Sequence, residues 1–294
     1  MDSMEKGKMI LKEEILKLVQ KDNSDLPTLP VVINKIISVA SDKRATVDEL
    51  GDVISHDQAM TSKLLKLSNS IYYSQQTKVE TIKRAISVIG FDEIVGIALG
   101  MEVLSSFKDA SGMSLNLSAL WTHSIGVATS SKELAKRTNP GIANMIFIPA
   151  LLHDIGKIIF SVYFKDEYIR VQKFAEERKK ALHQAENAIF KLNHAVLSAL
   201  LMKRWNFPNS IILPCRFHHN PDLAPSEFKY HSYLIALADY ITQKAGIGLR
   251  GSMIPTIPKD SLSVLGLNQA KLELIIDQIR MKKDEIQAFF DSTI

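Results

Sequence analysis

Three features of this chain predict an all-α protein of two lobes. Apolar residues recur at helical spacing along nearly its whole length, capping and turn residues punctuate that period, and no run alternates apolar and polar residues as a half-buried strand does. The predicted C-terminal lobe is a helical bundle that also holds most of the ligand-type side chains.

The elements follow in order. Leu11, Ile15, Leu18 and Val19 put one apolar face on a short helix within residues 1–24. Leu26-Pro27-Thr28-Leu29-Pro30 then forces an extended entry, because a residue before proline avoids the α region. Helical spacing resumes at Ile33, Ile36, Ile37 and Ala40. Thr46-Val47-Asp48-Glu49 has the pattern of a capping box, with Thr46 as N-cap, ahead of a helix carrying Leu50, Val53 and Ile54. Asp57 is placed to cap a helix that buries Met60, Leu64, Leu65 and Leu67, and Asn69 to Ser74 forms its exit. Ile82, Ala85, Ile86 and Ile89 make another helix, ended by Gly90. A long apolar helix runs from about Phe91 to Phe107.

Lys108-Asp109-Ala110-Ser111-Gly112 is the expected linker between an N-terminal lobe, 25–112, and a C-terminal lobe, 113–294. Beyond it, helices are expected over 117–137, 140–155, 165–179, 184–204, 209–218, 230–245 and 268–290. Asn139-Pro140-Gly141, Asn206-Phe207-Pro208 and Asn220-Pro221-Asp222 separate them. Gly246 to Pro258, with three Gly and two Pro, is expected to be a surface loop.

Composition narrows the function classes. A net charge of +4 without a long basic run argues against nucleic acid as a partner. The mixed-sign run Glu176 to Lys180 reads as a solvated helix face. Cys215 is the single cysteine, so no intrachain disulfide can form, and it reads as an apolar packing residue. The N-terminus lacks a signal-peptide pattern and no apolar run suffices for a bilayer, so a cytoplasmic protein without a membrane partner is expected. No phosphate loop, His-Glu-x-x-His helix or Gly-x-Ser-x-Gly elbow is present.

The ligand-type residues carry the chemistry. Leu151-Leu152-His153-Asp154-Ile155-Gly156-Lys157 offers an imidazole and a carboxylate side by side, with Lys157 one helical turn on. His123, His194 and Asp239 fall on apolar helices, where an unpaired carboxylate is costly. With His218 and His219 these residues form a candidate metal or phosphate site. Mixed imidazole and carboxylate donors suit zinc, manganese or iron better than calcium. His183 and His231 read instead as core histidines bonded to backbone. Trp121 and Trp205 read as packing anchors.

Several motifs follow one another in order along the two halves. In the C-terminal half they are Trp121-Thr122-His123-Ser124, His153 to Lys157, His194-Ala195, Trp205-Asn206-Phe207-Pro208 and His218-His219. In the N-terminal half they are Leu26 to Pro30, Leu50 to Asp57, Leu64 to Ser70 with Tyr72-Tyr73, and Ala85 to Gly90. Together these motifs resemble the HDOD family, the HD-related output domains of bacterial signalling; the likeness spans about residues 25–245 and implies an all-helical domain related to HD phosphohydrolases and HD-GYP cyclic-di-GMP phosphodiesterases. By that resemblance His123, His153, Asp154 and Asp239 would hold one divalent ion (iron, manganese or zinc). Asp154, His194, His218 and His219 would hold a second, with Asp154 bridging. Lys157, with Asp154, would face a substrate or phosphate.

Two departures stand out. Asn220-Pro221-Asp222-Leu223 follows His218-His219 where HD-GYP enzymes carry Gly-Tyr-Pro. Pro149 falls inside a predicted helix, where a kink would either place the His-Asp pair or mark relaxed metal geometry. The favoured expectation is therefore a regulatory module that binds signalling proteins without catalysis. The alternatives are a metal-dependent phosphohydrolase or phosphodiesterase, and a metal or nucleotide sensor. Tyr72 and Tyr73 have two readings, as exposed anchors for a partner or as packing between the lobes.

Overall fold

Side-chain caps start three helices of the N-terminal half where the sequence places them. The computed structural model describes residues 3–21, 26–42, 44–73, 77–107, 113–248 and 256–293. Helices α1 (Ser3–Gln20) and α2 (Val31–Ser41) lead into α3 (Val47–Ser55). At its start Thr46 Oγ1 accepts from Glu49 N at 3.2 Å, and the Glu49 carboxylate accepts from Thr46 N at 2.8 Å. Asp57 accepts from Met60 N at 2.9 Å to start α4 (Gln58–Ser68). Thr81 accepts from Arg84 N at 3.2 Å to start α5 (Ile82–Ile89), which Gly90 closes. Apolar α6 (Phe91–Ser106) follows. Ile33, Ile36, Leu50, Ile54 and Leu64 are fully buried, and each such side chain contributes roughly 1.5–3 kcal/mol.

The C-terminal half is built on α7 (Leu117–Thr138), which packs along α14 (Ser226–Lys244) and against α8 (Phe147–Leu152). Between them come α9 (Gly156–Tyr163), α10 (Lys165–Glu177), α11 (Leu182–Phe190), α12 (His194–Arg204) and α13 (Asn209–Phe217). The chain ends in α15 (Ser261–Val264), α16 (Gln269–Met281) and α17 (Lys283–Thr293). No strand occurs among the described residues, and the fold class is all-α as expected. Nor is any single helix there long and apolar enough to cross a membrane. Cys215 is buried, its thiol donating to the Pro149 carbonyl at 3.0 Å, in keeping with a packing role.

The two halves are tied together at several points. Helix α6 lies against α8, and α17 touches both α7 and α4. Buried Glu93 of α6 pairs with Lys132 of α7 and accepts from the Tyr73 hydroxyl at 2.9 Å. The Tyr72 hydroxyl lies 3.1 Å from Thr129 Oγ1, and its ring meets Phe289 edge-on at 5.0 Å. Both tyrosines thus pack between the halves, and the reading of them as exposed anchors is corrected. Helix α1 joins the C-terminal half, where Arg204 donates to the carbonyls of Leu18, Val19 and Lys21.

Some boundaries differ from the expected ones. The stretch 140–155 is a 3₁₀ turn (Pro140–Ile142) followed by α8, and His153-Asp154-Ile155 form a turn before α9. Pro149 is the third residue of α8, in the first turn, where helix N–H groups lack intrahelical partners anyway. Neither kink reading of Pro149 applies. The stretch 184–204 breaks at Lys191, which is left-handed (φ 59°), and Asn193 then caps α12. The stretch 268–290 breaks at Lys282, which lets α17 bury Ile286 and Phe289. Ile247, in the expected surface loop, is buried instead. A side chain at Gly248 (φ 74°) would collide with the backbone of His123. The expected linker, 108–112, lies outside the described residues.

Candidate metal centre

Four neighbouring segments converge on Asp154. His123 sits on α7, Asp239 on facing α14, His153 and Asp154 in the turn after α8, and His194 at the first residue of α12. His218 ends α13 and His219 follows it. The turn is fixed from behind. Ser198 of α12 donates to the His153 carbonyl at 3.0 Å and accepts from Gly156 N at 2.9 Å. Gly156 has no side chain because a Cβ there would collide with the His194 carbonyl.

Distances define two groups sharing one carboxylate. His123 Nε2 lies 3.1 Å from Asp239 Oδ1 and 3.7 Å from Asp154 Oδ2. His153 Nε2 is 3.2 Å from the same Asp154 oxygen. On the other side His194 Nε2 is 3.1 Å from Asp154 Oδ1 and 2.8 Å from His219 Nε2. Donor atoms of His123, His153 and Asp239 lie within 4.8 Å of one another, as do those of His194, His218 and His219, and those of His153, Asp154 and His218. All seven residues named from the sequence as ligands are therefore brought together. Lys157 joins them, its ammonium 2.5 Å from Asp154 Oδ2.

Hydrogen bonds outside the cluster set the imidazole tautomers. A carbonyl can only accept, so the 2.7 Å contacts of His153 Nδ1 with Ala150 O and of His218 Nδ1 with Cys215 O place a proton on each Nδ1. Their Nε2 atoms, like Asp154 Oδ1, are buried without a hydrogen-bond partner. Lone pairs gathered at one point without protons to share are what a cation requires, so the donor set fits a divalent metal. Gln243 supports Asp239 from one turn on, donating at 2.7 Å.

Electrostatics agree with that fit. Burial alone would raise the Asp154 carboxyl, but His153, Lys157 and His194 outweigh it and hold it well below the usual carboxylate range. Asp239 is likewise lowered, burial being overcome by its hydrogen bond and charge interaction with His123. Burial, reinforced by neighbouring imidazoles, pushes His218 and His219 well down, favouring the neutral form that binds metal. Burial would lower Lys157, but Asp154 and Asp239 raise it on balance, so it stays cationic.

The sequence reading missed two residues and misplaced one of them. His183, expected to be a core histidine bonded to backbone, stacks on His219 with centroids 3.9 Å apart, and burial pulls it down to about 4. Glu186, one turn further along α11, is fully buried against His194. Their i,i+3 spacing on a helix leading to His194 was the available signal, but an isolated Glu on a short amphipathic helix reads as solvated. His231 lies against Phe228, two turns before Asp239.

The HDOD domain pattern matches residues 26–221. The chain belongs to the HDOD family. An HDOD domain protein from Geobacter sulfurreducens shares the fold at a TM-score of 0.80 and 26% identity over 99% of both chains. A protein of Marinobacter aquaeolei VT8, named provisionally for signal transduction, matches at 0.81 and 20% identity over 99% of this chain and 67% of that one. One from Shewanella amazonensis SB2B, named provisionally as a phosphohydrolase, matches at 0.72 and 20% over 95% and 98%. A curated relative, an uncharacterized protein of Treponema pallidum (strain Nichols), is 26% identical over 73% of this chain, which spans 42% of that relative's length.

Proposed function

We propose that this HDOD protein is a regulatory signalling module whose C-terminal half is a scaffold built around a divalent metal centre, and that its output is protein contact rather than turnover. The observation that carries this reading is enclosure. His123, His153, Asp154, His194, His218 and Asp239 are each at most 5% exposed, and the Lys157 ammonium already occupies an oxygen of the central carboxylate. A phosphodiester would have to displace that ammonium and open packed helices to reach the donors. The missing Gly-Tyr-Pro after His218-His219 points the same way. The name of the Marinobacter relative is in keeping with a signalling role.

Asp154, set between two donor groups, favours a second reading, a metal-dependent phosphohydrolase. A bound pair of divalent ions supplies Lewis-acid chemistry at a phosphoryl group. In that case Asp154 would hold both ions, and Lys157 would swing from it to neutralise a phosphoryl oxygen. One experiment separates the readings. Metal analysis of the purified protein is followed by hydrolysis assays on cyclic-di-GMP and bis(p-nitrophenyl) phosphate with added Mn²⁺ or Fe²⁺. The module reading expects bound metal with no hydrolysis above the metal-only control. Hydrolysis abolished by Asp154→Asn would overturn it in favour of the enzyme.

A further inference from the structure

Glu186 lies outside the ligand set yet makes the closest polar contacts of any residue behind it. Its side chain is fully buried between α10 and α12, where an ionised carboxylate persists only if its oxygens are satisfied. Both are. Oε2 accepts from His194 Nδ1 at 2.6 Å and from the His194 backbone N–H at 2.8 Å. Oε1 accepts from the buried Tyr168 hydroxyl at 3.3 Å. A carboxylate at 2.6 Å from Nδ1 keeps the proton on that nitrogen, so the neutral ring of His194, the form that binds metal, presents Nε2 as a lone pair toward Asp154 Oδ1 and His219 Nε2.

The contrast with the other histidines makes Glu186 informative. His153 and His218 are oriented by carbonyls three residues back, within their own turns, so their ring positions come with the local backbone. His194 opens α12, has no such carbonyl, and takes its orienting group from a different helix. The backbone N–H at a helix start lacks an intrahelical acceptor, and Glu186 satisfies that group with the oxygen that also holds the ring. Helix α11 is thereby keyed to the donor cluster through one carboxylate, and its other polar residue on that face, His183, stacks on His219.

We propose that Glu186 is the positioning residue of the centre: it holds His194 as the Nδ1–H tautomer with Nε2 aimed at the metal, and Tyr168 holds Glu186. The inference rests on the site being a metal centre, and the test separates the two. Mn²⁺ and Zn²⁺ affinities of wild type, Glu186→Gln and Tyr168→Phe are measured by competition with a chromophoric chelator. Nitrogen-15 NMR reads the His194 tautomer in chelator-treated protein. Glu186→Gln, close in shape and able to fold, keeps an accepting oxygen but loses the charge, and is expected to weaken metal binding about 10–100-fold and to speed exchange of the His194 Nδ1–H resonance. Tyr168→Phe, one step further out, is expected to lose affinity by a smaller factor and to keep the resonance. If Glu186→Gln lowers thermal stability but leaves affinity and that exchange rate unchanged, Glu186 is only structural and the proposal fails. If wild type takes up neither metal, the metal-centre reading fails on its own. The resonance then still reports on Glu186, and its absence from metal-free wild type overturns the assignment independently.

Discussion

At Asp154 three imidazoles and an ammonium lie within 3.7 Å of a carboxylate that water barely reaches. Removing that carboxylate takes away the donor common to both halves of the cluster and strands Lys157 in the interior. Asp154→Asn keeps the shape and is expected to bind divalent metal more than about 100-fold more weakly, a larger loss than an outer hydrogen bond supplies. Elemental analysis after gel filtration reads this directly, and full metal content in Asp154→Asn would show that Asp154 bridges nothing. Gly156 gives a steric counterpart. An added methyl meets the backbone of His194, which has no flexible end to yield. Gly156→Ala is expected to cost about 1–3 kcal/mol in urea unfolding and to weaken metal binding, because α9 and α12 must part.

Among the elements, turns and breaks differ most from what periodicity predicts. Apolar spacing runs on through Ile189, Phe190, Leu192 and Ala195, so it hides the left-handed Lys191 that frees His194 to start its own helix. Capping chemistry was more legible. Thr46-Glu49 and Asp57 do what their spacing says, because those bonds join residues three apart and depend on nothing distant. Tyr72 and Tyr73 were ambiguous for the opposite reason, since their partners Thr129, Glu93 and Phe289 are far off in sequence. That packing alters what their substitution should do. Tyr72→Ala is expected to lower stability by about 3 kcal/mol while leaving metal affinity alone, as thermal unfolding of metal-loaded and metal-free samples would show. A loss of partner binding with stability intact would restore the exposed-anchor reading. Lys132→Met leaves buried Glu93 with only the Tyr73 hydroxyl and is expected to cost about 3 kcal/mol.

For the whole molecule, the ligands were legible because imidazoles and carboxylates on apolar helices are chemically out of place, and the HDOD motifs supplied their order. The supporting groups were not, since Glu186, Ser198 and Gly248 earn their roles only through contacts the fold creates. The same cluster gives the metal-free protein a pH dependence. His183, His218 and His219 are lowered by burial, so below their ordinary value of about 6.5 the unfolded chain binds protons that the folded one refuses, and stability is lost as the pH falls. His194 opposes this, because Glu186 raises it against its burial, but three lowered groups outweigh one. In chelator, the melting temperature should therefore drop between pH 7 and 5. A flat profile would mean the three imidazoles are not held neutral.

Seven side chains from both ends of the C-terminal half are proposed to form one metal centre. A crystal of the protein grown with Mn²⁺ or Zn²⁺ and measured at the metal's absorption edge tests it most directly. Anomalous density is expected beside Asp154, flanked by His123, His153 and Asp239 on one side and by His194, His218 and His219 on the other, with Zn–N separations of about 2.0–2.1 Å if zinc is bound. Anomalous peaks only at the protein surface, with the cluster closed on itself through Lys157, would contradict it.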